Sequence, residues 1–326
     1  MVRTRVGCLE RPRKITLKIR DIDIAEDQVL VRVHKAYICG SDLHYYRGKY
    51  PSHVKLPICL GHEGGGTIVK VGSKVTGYHV GDRVIVYADV LISPSGADPL
   101  FSDYVRAPIY CLQRVPEWID MDTACQAEPL ACAVHAIYNC GLQLGDTAVV
   151  IGLGYTGQII LQGLKKFGAN IVIGIDLDNS KLALAKKRGA DVVINAKRED
   201  PVQRVIEETD GKGADVVIEA VGKEQTIDQA TRMLRKGGTL GLFGWVTRPV
   251  KVDLCQWHIK YINPKILKIP SYREKMPWAE KGFDLIKKGM LEVKSLITCE
   301  YPLANLQEAF ERYDTDLSVI KVGIHP

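Results

Sequence analysis

One feature constrains the fold more than any other: a glycine turn set between a strand and a helix. Thr147-Ala-Val-Val-Ile151 reads as a buried strand. It runs into Gly152-Leu153-Gly154-Tyr155-Thr156-Gly157, and helix-forming sequence follows to about Phe167. The first glycine permits a tight turn, the second lets backbone approach a pyrophosphate, and the third allows close helix–strand packing. The N-terminus of the helix then attracts phosphate charge. Asp176 ends the next strand, about 20 residues beyond the last glycine, where a carboxylate can accept from both ribose hydroxyls. A dinucleotide is therefore expected on Gly152, Gly154, Tyr155, Thr156, Gly157, Asp176 and Lys181. Asp176 would repel a 2′-phosphate, so NAD is expected rather than NADP, although Lys181 nearby pulls the other way. The plainer alternative is that the glycines serve packing only.

The surrounding rhythm agrees with a dinucleotide unit. Strand-like runs at 170–176, 190–194, 214–219, 239–243 and 266–269 alternate with helical stretches such as 181–188. Strands alternating with helices of about 10–15 residues predict a parallel, doubly wound sheet of Rossmann type. Residues 1–120 differ. They read as β-rich and irregular, with strands at 28–38, 67–71 and 83–87 and a loop at 90–103. Helical spacing begins at 124–140 and returns at 278–288. The predicted fold class is α/β, with a β-rich domain at 1–125 and 272–326 and a Rossmann domain at 126–271.

Two stretches in the β-rich part carry chemistry. Cys39-Gly40-Ser41-Asp42-Leu43-His44 forms a loop after the first strand. Gly61-His62-Glu63-Gly64-Gly65-Gly66 continues to Gly72 and Val75. A thiol, an imidazole and a carboxylate are zinc-type ligands. Three protein ligands with one open position mark catalytic rather than structural zinc. Metal and dinucleotide in one chain point to alcohol–carbonyl chemistry.

Composition excludes several classes. The net charge of +6 over 326 residues is mild and the basic residues are scattered, so no nucleic-acid partner is expected. No run approaches the roughly 18–20 apolar residues that span a bilayer. The first residues enter strand-like sequence directly, so a cytoplasmic location without a leader is expected. Nine cysteines, dispersed and without a Cys-x-x-Cys, predict reduced thiols. Cys125, Cys132 and Cys140 fall on one helical face and read as core thiols. His135 reads as a structural histidine, and His34, His53, His79, His258 and His325 have no usable partner spacing.

On both signatures the chain resembles the zinc-dependent, medium-chain alcohol dehydrogenase family over essentially its full length. Gly61-His-Glu-x-x-Gly66-x(5)-Gly72-x(2)-Val75 is similar to that family's zinc signature. Cys39-Gly-Ser-Asp-x-His44 resembles its first-ligand loop, and Gly81-Asp-Arg-Val84 is also typical. The resemblance implies a GroES-like catalytic domain. It implies that Cys39 and His62 bind zinc, that Asp42 fixes the tautomer of His62, and that Ser41 and His44 carry the alcohol proton outward. The stretch Ala127-Glu128-Pro129-Leu130 looks like the polyol, threonine and sugar dehydrogenase branch. That branch implies Glu63 as third ligand, with Glu128 exchanging or bridging through water. Tyr45, Tyr46 and Arg47 follow the zinc loop and either contact a polyol or pack at the rim. Between Val84 and Arg114 stands a single cysteine, Cys111. A four-cysteine structural zinc lobe is therefore expected to be absent, leaving one zinc per subunit.

The expected function is NAD-dependent oxidation of a secondary alcohol, polyol or amino alcohol. The family also implies a homodimer or homotetramer. Two readings compete. A zinc-free, quinone-type reductase of the same superfold would lack Cys39, His62 and Glu63. A non-catalytic dinucleotide-binding protein would have lost Ser41, Asp42 and His44.

Overall fold

The computed structural model describes residues 1–50, 54–88 and 96–326. His53 and the first part of the loop expected at 90–103 lie outside the described residues. The chain forms two units. One is Met1–Pro129 with Pro270–Glu280 and Val293–Pro326; the other is Leu130–Ile269 with Lys281–Glu292.

The first unit contains β1 (Val2–Arg11), β2 (Lys14–Ile22), β3 (Gln28–Ile38), β4 (Ile58–Cys59), β5 (Glu63–Val71), β6 (Arg83–Val86), β7 (Tyr104–Pro108) and β8 (Leu112–Arg114). The second contains β9 (Thr147–Ile151), β10 (Ile171–Asp176), β11 (Val192–Asn195), β12 (Ala214–Glu219), β13 (Leu234–Leu242) and β14 (Asn263–Ile266). The chain then adds β15 (Ile297–Pro302) and β16 (Lys321–His325) to the first unit.

In the first unit the main sheet runs β15-β16-β3-β5-β6-β8, with β7 also on β3, and a smaller sheet runs β2-β1-β4. Along β3, Arg32 and His34 face solvent between buried Val31, Val33 and Lys35, and then every residue from Lys35 to Ile38 is buried. That change marks where a half-exposed strand becomes an interior one. The glycines of β5 answer to close packing. A Cβ on Gly65 would lie 2.3 Å from the Val84 carbonyl, and one on Gly66 would lie 2.0 Å from that of Arg32. No larger residue fits between β3 and β6 there.

The second unit is a parallel sheet ordered β11-β10-β9-β12-β13-β14. Strand order reverses between β9 and β12. Val149, Ile173, Val217 and Leu240 are fully buried in its core. These two architectures are the GroES-like and Rossmann layers expected from the sequence.

Several local expectations are corrected. The chain after Cys39 is a helix, Gly40–Tyr46, not a loop, because the Asp42 carboxylate accepts from the Cys39 amide at 2.9 Å and closes the first turn. The last parallel strand is Asn263–Ile266 rather than 266–269. Pro264 argues against a central strand but is tolerated on an edge. The helix expected from 278 begins at Tyr272 and continues through Pro277. The helical stretch 124–140 is two helices, Met121–Ala124 and Ala127–Asn139, so the three cysteines do not share one face. Cys125 and Cys140 are buried, and Cys132 is partly exposed. Finally, not all thiols are reduced: Cys8 and Cys59 form a disulfide across β1 and β4. Strand register brings that pair together over a separation of 51 residues, which no local spacing signals.

Candidate metal centre and dinucleotide turn

Register builds the metal cluster. Tyr37 of β3 stands opposite Glu63 of β5, so Cys39, just past the end of β3, comes beside His62, just before β5. Gly61 turns the chain at a φ of +104°, and a Cβ there would lie 2.6 Å from the Phe101 amide nitrogen. Only glycine suits that combination. Cys39, His62 and Glu63 then offer ligand atoms that all lie within 4.8 Å of one another.

The surroundings are ordered around these three. Asp42 Oδ1 lies 3.4 Å from His62 Nδ1, which leaves Nε2 for a metal. Ser41 Oγ is 3.5 Å from that Nε2. Burial by itself would lower the pKa of His62, but the charges of Asp42 and Cys39 outweigh it and raise the value well above the ordinary range. The same field favours a bound cation. Glu63 is fully buried, and its Oε1 has no hydrogen-bond partner among the described residues. A buried carboxylate oxygen left without a donor, beside a thiol and an imidazole, fits a zinc ion.

Glu128 stands apart from this cluster. It opens the helix Ala127–Asn139, and its carboxylate accepts from Lys275 Nζ at 2.5 Å. Its charge still acts on Glu63, and that of His62 on Glu128. His44 lies one turn beyond Ser41 on the same short helix, and burial, with Arg47 and Lys49, lowers its pKa. Tyr45 and Tyr46 are both buried. Tyr45 stacks on Tyr50 at 6.0 Å, and Tyr46 packs on Phe310 at 5.2 Å while its hydroxyl accepts from Gln307. Packing is the role these contacts support.

Sequence reasoning missed Lys321 and Lys275. Lys321 begins β16, whose Val322 stands opposite Ile38, and its ammonium pairs with Glu63 Oε2. Burial alone would lower the pKa of Lys321, but the charges of Glu63 and Cys39 raise it instead. The available signal was a lysine inside the apolar run Val319-Ile320-Lys321-Val322. Lys275 gave no comparable signal.

In the second unit the glycine turn has the expected geometry. Gly152 has a φ of +91°, and a Cβ on Gly157 would lie 1.9 Å from the Gly152 carbonyl oxygen. A Cβ on Gly154 would meet nothing, so open space lies where a pyrophosphate would approach. Tyr155 and Thr156 open the helix Tyr155–Lys166. Asp176 Oδ2 accepts from the Leu153 amide at 2.7 Å, and Oδ1 accepts from Leu177 and Asp178 at 2.7 and 3.0 Å. Lys181 lies in the first turn of the helix capped by Asp178, and its carbonyl accepts from Gln158. Gln158 is a further missed residue, since it also reaches the Leu153 carbonyl at 3.4 Å.

A β-rich unit with a Cys–His–Glu cluster and a parallel-sheet unit with a glycine turn define the oxidoreductase class. The comparisons identify the family: the chain belongs to the zinc-binding, medium-chain dehydrogenases. Residues 156–280 match the zinc-binding dehydrogenase family, and residues 25–116 match the alcohol dehydrogenase GroES-like domain. A D-arabitol-phosphate dehydrogenase of Enterococcus avium is 32% identical, across 89% of this chain and 88% of that protein. A sorbitol dehydrogenase of Bacillus subtilis is 30% identical, across 99% of this chain and 97% of that protein. The solved structure of a 2R,3R-butanediol dehydrogenase from Bacillus subtilis superposes with a TM-score of 0.85 at 26% identity, covering 99% of both chains.

Proposed function

We propose that the protein is a zinc-dependent, NAD-linked dehydrogenase of the polyol branch, oxidising a secondary alcohol, polyol or amino alcohol to the ketone. The observation that carries this reading is the Cys39–His62–Glu63 triad with its orphaned Glu63 oxygen. Cys39, His62 and Glu63 would hold one zinc, with Glu128 able to exchange into the site if Lys275 releases it. No second, structural zinc is proposed. A zinc ion there supplies a Lewis acid for the substrate hydroxyl. NAD supplies the hydride acceptor.

The chain does the rest. Asp42 holds the His62 ring through Nδ1. Ser41 Oγ would take the hydroxyl proton and relay it toward His44, whose pKa is lowered by burial and by the charges of Arg47 and Lys49. The Gly152–Gly157 turn and the following helix seat the pyrophosphate, and Asp176 receives the ribose. The triad argues against a zinc-free reductase, and the retained Ser41, Asp42 and His44 argue against a non-catalytic protein.

A homodimer or homotetramer is part of the proposal, supported by the edge strand β14, where Ile266 is 71% exposed. A cytoplasmic location is part of the proposal too; among the described residues no helix is long and apolar enough to cross a membrane.

The test is NAD reduction by zinc-replete and chelator-stripped protein on polyols, polyol phosphates, vicinal diols, aminocyclitols and L-threonine. Zinc-dependent turnover on one of these is expected. Turnover that survives verified metal removal would overturn the role given to the triad.

A further inference from the structure

Glu219 closes β12, and the reversal of strand order falls between β9 and β12. In an open parallel sheet a ligand sits outside the carboxyl ends of the strands at such a reversal. The Gly152 turn, after β9, would form one wall of such a crevice, and residues 220–222, after β12, the other.

Glu219 sets the position of that second wall. Its side chain is fully buried. Oε1 accepts from the amides of Val221 and Gly222, both at 2.8 Å, and from the Thr226 hydroxyl at 2.7 Å. Its backbone carbonyl accepts from Phe243 and Gly244, both at 2.9 Å. One residue thus ties the segment after β12 to the next helix and to the end of β13. The tied segment bears directly on the glycine turn. The Ala220 amide donates to the Ile151 carbonyl at 2.9 Å, and a Cβ on Gly152 would lie 2.6 Å from Val221 Cγ2.

A carboxyl group in such a place needs a reason. Burial without full hydrogen bonding costs free energy, and Oε2 is buried with no partner among the described residues. Burial raises the pKa of the group, with the hydrogen bonds to Thr226 and the loop amides opposing. An apolar residue at the end of β12 would avoid that cost but would leave the two amides unserved.

We propose that Glu219 is a positioning residue for the dinucleotide: it holds Val221 and Gly222 against the Gly152 turn and so shapes the crevice that receives NAD. This rests on the dinucleotide reading given above. The residue touches neither substrate nor metal in this scheme. It acts through the loop.

Glu219→Asp and Glu219→Gln separate this role from plain stability. The shorter Asp cannot serve Val221, Gly222 and Thr226 together, whereas Gln keeps the accepting oxygen. Calorimetric titration of the zinc-loaded protein with NAD is expected to show about a tenfold weaker Kd for E219D, and about wild-type affinity for E219Q. The KM for NAD should rise likewise in E219D, with kcat at saturating NAD unchanged. Thr226→Val removes one donor without altering Glu219 and should shift Kd in the same direction, which keeps the test open if E219D does not fold. An unchanged Kd in E219D, whatever its melting temperature, overturns the inference. Equal damage in E219Q overturns it too. Wild-type protein that binds neither NAD nor NADP overturns the dinucleotide reading itself, and this inference with it.

Discussion

Lys321 and Glu63 form an ion pair in which neither side chain is more than 2% exposed. Two charges taken out of water this completely depend on each other. In metal-free protein, Lys321→Met should therefore destabilise the fold by about 3–5 kcal/mol in chemical denaturation. Lys321→Met combined with Glu63→Gln should recover much of that loss. If the single substitution costs nothing, the pair is not holding the two segments.

Asp42 should matter to the metal as well as to the turn it closes. It contacts His62 Nδ1 and the Cys39 amide, and so orients both flanks of the triad. Asp42→Asn is expected to weaken zinc binding by about 10–100-fold in competition with a chromophoric chelator. Wild-type affinity in that variant would remove Asp42 from the account.

Gly157 has no room for a side chain. With a Cβ 1.9 Å from the Gly152 carbonyl oxygen, Gly157→Ala must push the helix from the turn. A loss of about 1–3 kcal/mol in stability is expected. Binding of NAD should be lost as well. A G157A protein that binds NAD normally would contradict the turn geometry described.

Acid should unfold the first unit through its paired carboxylates. Burial would raise Asp103 and Asp122, but hydrogen bonds from Arg5 to the first and from Lys35 and His34 to the second bring both below their ordinary value of 3.8. A carboxyl group whose folded pKa is depressed stabilises the fold above its unfolded pKa. That contribution is complete at neutral pH and is lost as pH falls from about 4 through the lower folded values. Denaturation midpoints from pH 7 down to pH 3 should show it, and Asp103→Asn should flatten the slope.

Much of this was legible in the sequence, for identifiable reasons. The Gly152–Gly157 turn and Asp176 were readable because each residue answers a local constraint: a positive φ, a close approach, the end of a strand. Cys39 and His62 were readable because their ligand chemistry is rare and their glycines are specific. Lys321, Lys275 and the Cys8–Cys59 bond were not readable, because each partner is supplied by a distant segment through strand register or helix placement. Glu219 was visible as the end of a strand, but its hydrogen bonds appear only when β9, β12 and β13 lie side by side. The bounds of the last parallel strand and of the helix after it were not readable either, because Pro264 sits on an edge strand and Pro277 inside a helix, places where proline is tolerated only through tertiary context.

The β16 strand has a consequence for biosynthesis. The triad is encoded by residue 63, yet the lysine that neutralises Glu63 is at 321, with the whole Rossmann unit between them. A ribosome releases the second unit's sheet before it releases the residue that completes the first unit's pocket. Strand β3, which leads to Cys39, therefore emerges long before its neighbour β16, and the Glu63 carboxylate long before the lysine that pairs with it.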